Sequence, residues 1–309
     1  MTSPYQRLDH GISVVDTDFV RPRFDASFLM VENGRAAFIE TGPNSAVPHL
    51  LAALEAHGLE RDAVDYVIPT HVHLDHAGGA GLLMQHLPRA KLVIHPRGAR
   101  HMIDPSVLME GVRAVYGAEV AARDYGELVP IPAERVITTT DGMVIELSGR
   151  PLLFADTPGH ARHHHCIWDE ASRGWFTGDT FGIVYPELAP YIVPATAPVQ
   201  FDQEALHESV ARLLARRPEF MYLTHFGAVR DAEKLAAQYL AQVDAMADAA
   251  RSLANEPGRH DRLKHAFGDI YIAELRRSGS TQSENFLRDI LATDIELNAQ
   301  GLGTWLDRN

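Results

Sequence analysis

Thr70-His71-Val72-His73-Leu74-Asp75-His76-Ala77-Gly78-Gly79 packs three imidazoles and a carboxylate into positions 71–76. The apolar run Tyr66–Thr70 before it reads as a strand. In extended chain alternate side chains share a face, so His71 and His73 can grip one ion together. The small residues Ala77–Gly81 then open a helix, and the bend before them lets Asp75 and His76 face a second position beside the first.

Three further candidates lie far away in sequence but in the same setting. His160 follows the strand pattern Leu152–Asp156 through Thr157-Pro158-Gly159, Asp179 follows Trp175–Thr177 through Gly178, and His225 directly ends Met221–Thr224. Each sits just past the carboxyl end of a short apolar strand, where open αβ sheets place their ligand sites. Together these residues offer five imidazoles and two carboxylates, a donor set suited to zinc, iron or manganese. Seven ligands are too many for one tetrahedral ion and suit a pair. His71, His73 and His160 would hold the first ion, Asp75, His76 and His225 the second, and Asp179 would bridge them.

Other strands are expected at Gly11–Asp16, Ser27–Glu32, Ala36–Glu40, Lys91–His95, Met143–Leu147 and His164–Trp168, with a tight turn at Asn33–Gly34. Helices are expected over Ser45–His57 and, with Asp202 as N-cap, over Gln203–Arg216. From Asp231 the pattern is helical only. Leu235, Tyr239, Val243 and Met246 recur at helical spacing until Pro257–Gly258, a second helix spans about 260–277, and Thr281 with Glu284 reads as a capping box for a third that Gly301 ends. The division is an αβ body over 1–230 and a helical extension over 231–309.

Composition removes several classes. The 309 residues carry 28 Lys+Arg against 41 Asp+Glu, a net charge of −13, which counts against a nucleic-acid partner. No apolar stretch approaches the ~18 residues that span a membrane, and no secretory signal is visible. A single cysteine, Cys166, excludes an intrachain disulfide framework and fits a reducing, cytoplasmic setting. Histidine, by contrast, occurs 17 times.

The strings THVHLDHAGG (70–79), TPGH (157–160), FTGDT (176–180) and LTHFG (223–227) resemble the motifs of the metallo-β-lactamase superfamily. The resemblance covers roughly residues 10–230 and fills every metal position of a binuclear member. It implies an α/β fold, the four-layer αββα metallo-β-lactamase sandwich, here with a C-terminal helical extension, and a hydroxide-bridged dimetal site at one sheet edge. Where the superfamily usually has aspartate in a "DTG" string, this chain has Glu40-Thr41-Gly42. That acid supports the histidine loop in the family, so Glu40 is expected behind the ligands, at a reach one methylene longer.

The implied function is a metal-dependent hydrolase acting on an ester-like bond: lactone, thioester, carboxylic ester or phosphoester. Two divalent ions sharing a water bring its pKa towards ~7 and supply hydroxide at neutral pH. Zinc is the first expectation for the pair, with iron or manganese as alternatives, and Asp75 can add proton transfer to the leaving group. True β-lactamases of the superfamily lack the bridging aspartate, which sets this chain apart from them. The alternative in another class is iron-dependent oxygen or sulfur redox chemistry, as in persulfide dioxygenases and oxygen-binding diiron relatives. Further expectations are His163 and His165 beside the ligands, and Arg162, Tyr185 and Tyr191 as contacts to a small-molecule substrate. The segment 97–126 reads as a lid or a subunit contact, and the helical tail as a border of the site and part of a homodimer.

Overall fold

Asn33 and Gly34 turn the chain with positive φ angles of 46° and 76°, joining β3 (Ala26–Glu32) to β4 (Arg35–Ile39) in an antiparallel hairpin. In the computed structural model, which describes residues 5–308 apart from 189, 197 and 198, this hairpin is the centre of the first of two sheets. That sheet runs in the order β1 (Tyr5–Arg7), β2 (Ile12–Asp16), β3, β4, β5 (Val64–Ile68), β6 (Lys91–Ile94) and β7 (Val136–Thr138), antiparallel up to β4 and parallel beyond it. The second sheet has β8 (Val144–Leu147), β9 (Arg150–Asp156), β10 (His165–Asp169), β11 (Gly174–Phe176), β12 (Phe220–Leu223) and β13 (Gly227–Val229), adjacent in that order. The short strands β1, β7 and β13 are additions to the sequence pattern, which offers runs too brief to signal there.

Alternation along the strands builds the layers. Phe28, Met30, Ile39 and Ile68 of the first sheet meet Phe154, Ile167, Phe176 and Tyr222 of the second in the central core. The other face of the first sheet packs under α1 (Val47–Ala56), α2 (Leu74–Ala77), α3 (Ala80–His86) and α4 (Pro96–Ile103). Two more helices, α5 (Ser106–Tyr116) and α6 (Ala118–Asp124), continue from α4. The outer face of the second sheet packs under α7 (Gln203–Leu214), whose N-cap Asp202 accepts from the Ala205 amide at 3.1 Å, as its sequence signals. The result is the four-layer αββα sandwich.

The tail is helical but does not form a body of its own. α8 (Ala232–Ser252), α9 (Arg259–Arg277), α10 (Glu284–Ile290) and α11 (Ala292–Arg308) share one core with the second sheet, from Trp168 and Met221 through Tyr239 and Phe267 to Leu302. Two details differ from the sequence pattern. Ser283, not Thr281, caps α10 by accepting from the Phe286 amide at 3.2 Å. Gly301 does not end a helix. It is buried inside α11, as is Gly303, whose missing Cβ would lie 3.9 Å from Leu263 of α9. Among the described residues, no helix is long and apolar enough to cross a membrane.

Candidate metal centre

The loop after β5 carries His71 and His73, and α2 begins at Leu74, so Asp75 and His76 already stand on a first helical turn. The bend expected before Ala77 therefore falls at His73, the N-cap of α2. Loops after β9, β11 and β12 bring His160, Asp179 and His225 to the same edge. Two glycines permit the approach. A Cβ on Gly178 would lie 2.3 Å from Thr70 Oγ1, and one on Gly159 would lie 2.4 Å from the Leu206 backbone.

The seven residues fall into two adjoining groups, His71, His73, His160 and Asp179 in one and Asp75, His76 and His225 in the other, each with candidate ligand atoms within 4.8 Å of one another. His71 Nε2 lies 2.7 Å and His160 Nε2 3.2 Å from His73 Nδ1. Asp179 turns one oxygen to each group: Oδ2 is 3.4 Å from His160 Nε2, and Oδ1 is 3.3 Å from His76 Nε2 and 3.7 Å from that of His225. Asp75 Oδ2 stands 3.4 Å from His225 Nε2 and 3.7 Å from His76 Nε2.

Hydrogen bonding outside the centre fits these residues to a metal. His160 Nδ1 pairs with the Ala195 carbonyl at 2.8 Å, His225 Nδ1 with the Phe24 carbonyl at 2.8 Å, and His76 Nδ1 with Glu40 Oε1 at 3.0 Å. A carbonyl or carboxylate can only accept, so in each ring Nδ1 bears a proton and a neutral ring turns an Nε2 lone pair inward. The same holds for His71, whose Nδ1 meets Thr70 Oγ1 at 3.1 Å, because that hydroxyl spends its own proton on Glu40 Oε1 at 2.5 Å. These Nε2 atoms thus converge on one buried spot, beside the carboxylates of Asp75 and Asp179, which accept but do not donate. His76 Nε2 and Asp179 Oδ1 are both buried without a hydrogen-bond partner among the described residues. Buried polar atoms left unpaired are costly, and a cation answers all of them at once.

Electrostatics divide the centre. Burial, with the neighbouring imidazoles, pushes His73 down to about 3 and His71 well below the usual histidine range. At the other group the carboxylates prevail over burial: His225 rises to about 9 through Asp75, Asp179 and Asp25, and His76 rises through Asp179, Asp75 and Glu40. Burial acts to raise Asp75, but His76 and His225 hold it ionised, well below the usual carboxylate range.

Glu40 is hydrogen-bonded to both candidate-ligand segments. With a left-handed φ of 63°, it accepts from the Thr70 amide at 3.0 Å, the Thr70 hydroxyl, His76 Nδ1, and the Thr224 hydroxyl at 3.2 Å. The longer side chain therefore ties the first histidine loop to the strand end that carries His225. We predict that Glu40→Gln, which keeps the shape but turns one acceptor into a donor, weakens divalent-metal affinity by about 10- to 100-fold. Competition with a chromophoric chelator measures this, and unchanged affinity would remove Glu40 from the support.

The other candidates separate. His163 lines the cavity over the metal groups, with ring centroids 5.5 Å from His73, and burial next to His73 and His160 brings it down to about 2. His165 faces elsewhere, bonded to the Pro69 carbonyl at 3.0 Å and Thr139 at 2.9 Å, so it anchors the chain that leads into the histidine loop. His164, passed over in the sequence, is fully buried against His71 with centroids 4.9 Å apart and bonds Thr157 and Thr180. The reason is local: β10 begins only at His165, so the run does not alternate as a strand would.

Arg162 is exposed and does not line the cavity; its backbone amide donates to Gln200 at 2.8 Å. Tyr191 is also absent from the lining. It is buried with its hydroxyl donated to Gln242 of α8, because the loop that carries it is clamped onto the tail. Tyr185 does line the cavity, but its hydroxyl is spent on Asp294 Oδ1 at 3.1 Å. Of the segment 97–126, α5 contributes Val107, Leu108, Val112 and Val115 to the cavity wall. Sequence reasoning also missed Asp25, buried beside His225, and two tail residues, Asp294 and Asn298. An acid in a first helical turn and an amide on a helix face are ordinary features in sequence.

The chain belongs to the metallo-beta-lactamase superfamily, whose family profile matches residues 20–225. Among known proteins it is similar to the metallo-beta-lactamase fold-containing protein ST1585 of Sulfurisphaera tokodaii, 28% identical over 186 residues that make up 59% of this chain and 67% of that protein. The ST1585 crystal structure superposes with a TM-score of 0.67 at 22% identity, covering 96% of this chain and 99% of that one. A metallo-beta-lactamase family protein of Thermus thermophilus, TTHA1429, gives 0.65 at 21% identity over 92% and 94%. A sequence relative, the atrochrysone carboxyl ACP thioesterase of Aspergillus fumigatus, is 26% identical over 155 residues, 50% of this chain and 39% of that protein. The chain thus spans well under half the length of that thioesterase.

Proposed function

We propose that this protein is a metal-dependent hydrolase of small-molecule, ester-like bonds, working at two divalent ions with zinc as the first choice. The reading rests above all on Asp179, whose two oxygens face two separate histidine groups 3.3–3.4 Å away. His71, His73 and His160 would hold one ion, Asp75, His76 and His225 the other, with Asp179 shared. When bound, such a pair lowers the pKa of a shared water and polarises the bond under attack.

The chain's own residues supply the rest. Asp75 lines the cavity with its side chain 24% exposed, and His73 beside it is likewise half-buried, while the other five candidate ligands are buried. The Asp75 carboxylate faces the cavity at the edge of the metal groups, which places it to pass a proton to a leaving group. His163 stays neutral at the cavity wall and offers a ring nitrogen there without adding charge. The thioesterase named among the relatives is consistent with acyl substrates, the class to be tried first.

The test is to strip the protein and reload it anaerobically with Zn²⁺, Mn²⁺ or Fe²⁺. Lactones, thioesters, carboxylic esters and phosphoesters are then assayed beside persulfide-driven oxygen uptake. Redox-inert Zn²⁺ is expected to support turnover of at least one hydrolytic substrate. Activity confined to the iron form, and only with oxygen present, would replace the hydrolase reading with the redox one.

A further inference from the structure

Above the metal groups lies a cavity of about 320 Å³, closed on one side by α5 and on the other by the tail helix α11. Its reactive floor is polar, but its walls are not: Val107, Leu108, Val112 and Val115 face Ile183, Val199 and Leu297. Val107 and Val199 are 62% and 53% exposed and line the same cavity, so they form part of a shared apolar rim rather than singly exposed side chains. No lysine or arginine is among the described residues lining the cavity. Arg21 stacks on the Tyr185 ring at 4.5 Å outside the lining and is paired with Glu187.

One charged group in the wall lies outside the metal centre. Asp294 of α11 is 6% exposed, bonded through Oδ1 to the Tyr185 hydroxyl, while Oδ2 has no partner among the described residues. Burial raises this carboxyl to about 6, which still leaves it mainly ionised at neutral pH.

Building on the hydrolase reading, we propose that the cavity receives an uncharged, apolar arm of the substrate, and that Asp294 of the C-terminal extension excludes anionic arms. An apolar arm gains by covering the valines. An anion there would be desolvated with no cation to pair with and would meet a buried carboxylate of the same sign. The preference concerns the part of the substrate remote from the ions, since the ions themselves attract negative charge at the scissile end. It sets large anionic conjugates aside in favour of simple acyl esters, lactones or neutral thioesters.

The experiment uses the full-length, zinc-loaded protein and nitrophenyl esters whose acyl arms grow from two to eight carbons. Each arm ends in methyl or, in a matched set, in carboxylate. The expected kcat/KM rises by up to about fourfold per added methylene until the cavity is filled, and the methyl-ended ester exceeds its carboxylate twin by about tenfold or more. Asp294→Asn should narrow that ratio, and Val112→Lys should narrow or invert it. A carboxylate-ended ester used as well as its twin, no dependence on arm length, or a ratio indifferent to Asp294→Asn would each overturn the proposal.

Non-hydrolysable amides of the same arms keep the two readings apart. Methyl-ended amides should raise the melting temperature of the metal-loaded protein more than carboxylate-ended ones, and Asp294→Asn should shrink the difference. If no ester is cleaved but the amides follow this order, the hydrolase reading falls and the cavity assignment stands. If the amides show no such order, the cavity assignment falls whatever the esters do.

Discussion

Asp179→Asn is expected to weaken the binding of at least one divalent ion and to lower hydrolytic turnover by at least about 100-fold. Loss of partners outside the ligand shell already costs up to about that much in related settings, and a shared ligand should cost no less. The substitution keeps the side chain's size while removing the charge that faces both histidine groups, at 3.4 Å from His160 and 3.3 Å from His76. An amide also brings an N–H that would point at an inward lone pair of one imidazole or the other. Metal content after desalting and kcat with the best ester measure the two effects separately. A variant that retains two ions and normal turnover would show that Asp179 is not shared.

Removing the tail after Arg230 is expected to leave no soluble, active protein. The core that α8, α9 and α11 share with the second sheet would open, exposing Tyr185, Tyr191, Leu206, Val210 and Leu213. The tail also bonds to the loop that positions His160. Asn298 accepts from the Thr196 amide and hydroxyl at 2.6 Å and donates to the Pro194 carbonyl and the Tyr271 hydroxyl at 2.8 Å. Between Pro194 and Thr196 stands Ala195, whose carbonyl fixes His160 Nδ1. Asn298→Ala is the milder form of the same test. It leaves several buried polar groups unpaired, so stability should fall by about 2–4 kcal/mol, with ion affinity falling alongside. A truncated chain that stays soluble and active would mean that the body folds and works alone.

The candidate ligand residues could be found in the sequence because each obeys a local rule. His71 and His73 alternate at a strand end, while His160, Asp179 and His225 each follow a short apolar run, directly or through small and turn-forming residues. The hairpin at Asn33–Gly34 and the helix capped by Asp202 were legible for the same reason. What stayed hidden depends on contacts between distant segments. Tyr191 looks like a loop aromatic near the site until Gln242 of α8 is seen to hold its hydroxyl. Asp294 looks like a helix-dipole acid until burial places it in the cavity wall. His164 reads as one face of a strand, but the chain is still turning there. Gly301 has the composition of a helix end but is buried within α11, where the tail helices pack together.

The most direct test of the central claim, that seven converging residues hold a pair of ions, is the number of divalent ions retained per chain. Wild-type protein is stripped, reloaded with Zn²⁺ and desalted, and its metal is measured against protein concentration by mass spectrometry. Two ions per chain are predicted, falling to one or fewer when His76 and His225 are both replaced by alanine. Wild-type protein that retains no zinc, or a double variant that still retains two ions, would contradict the account.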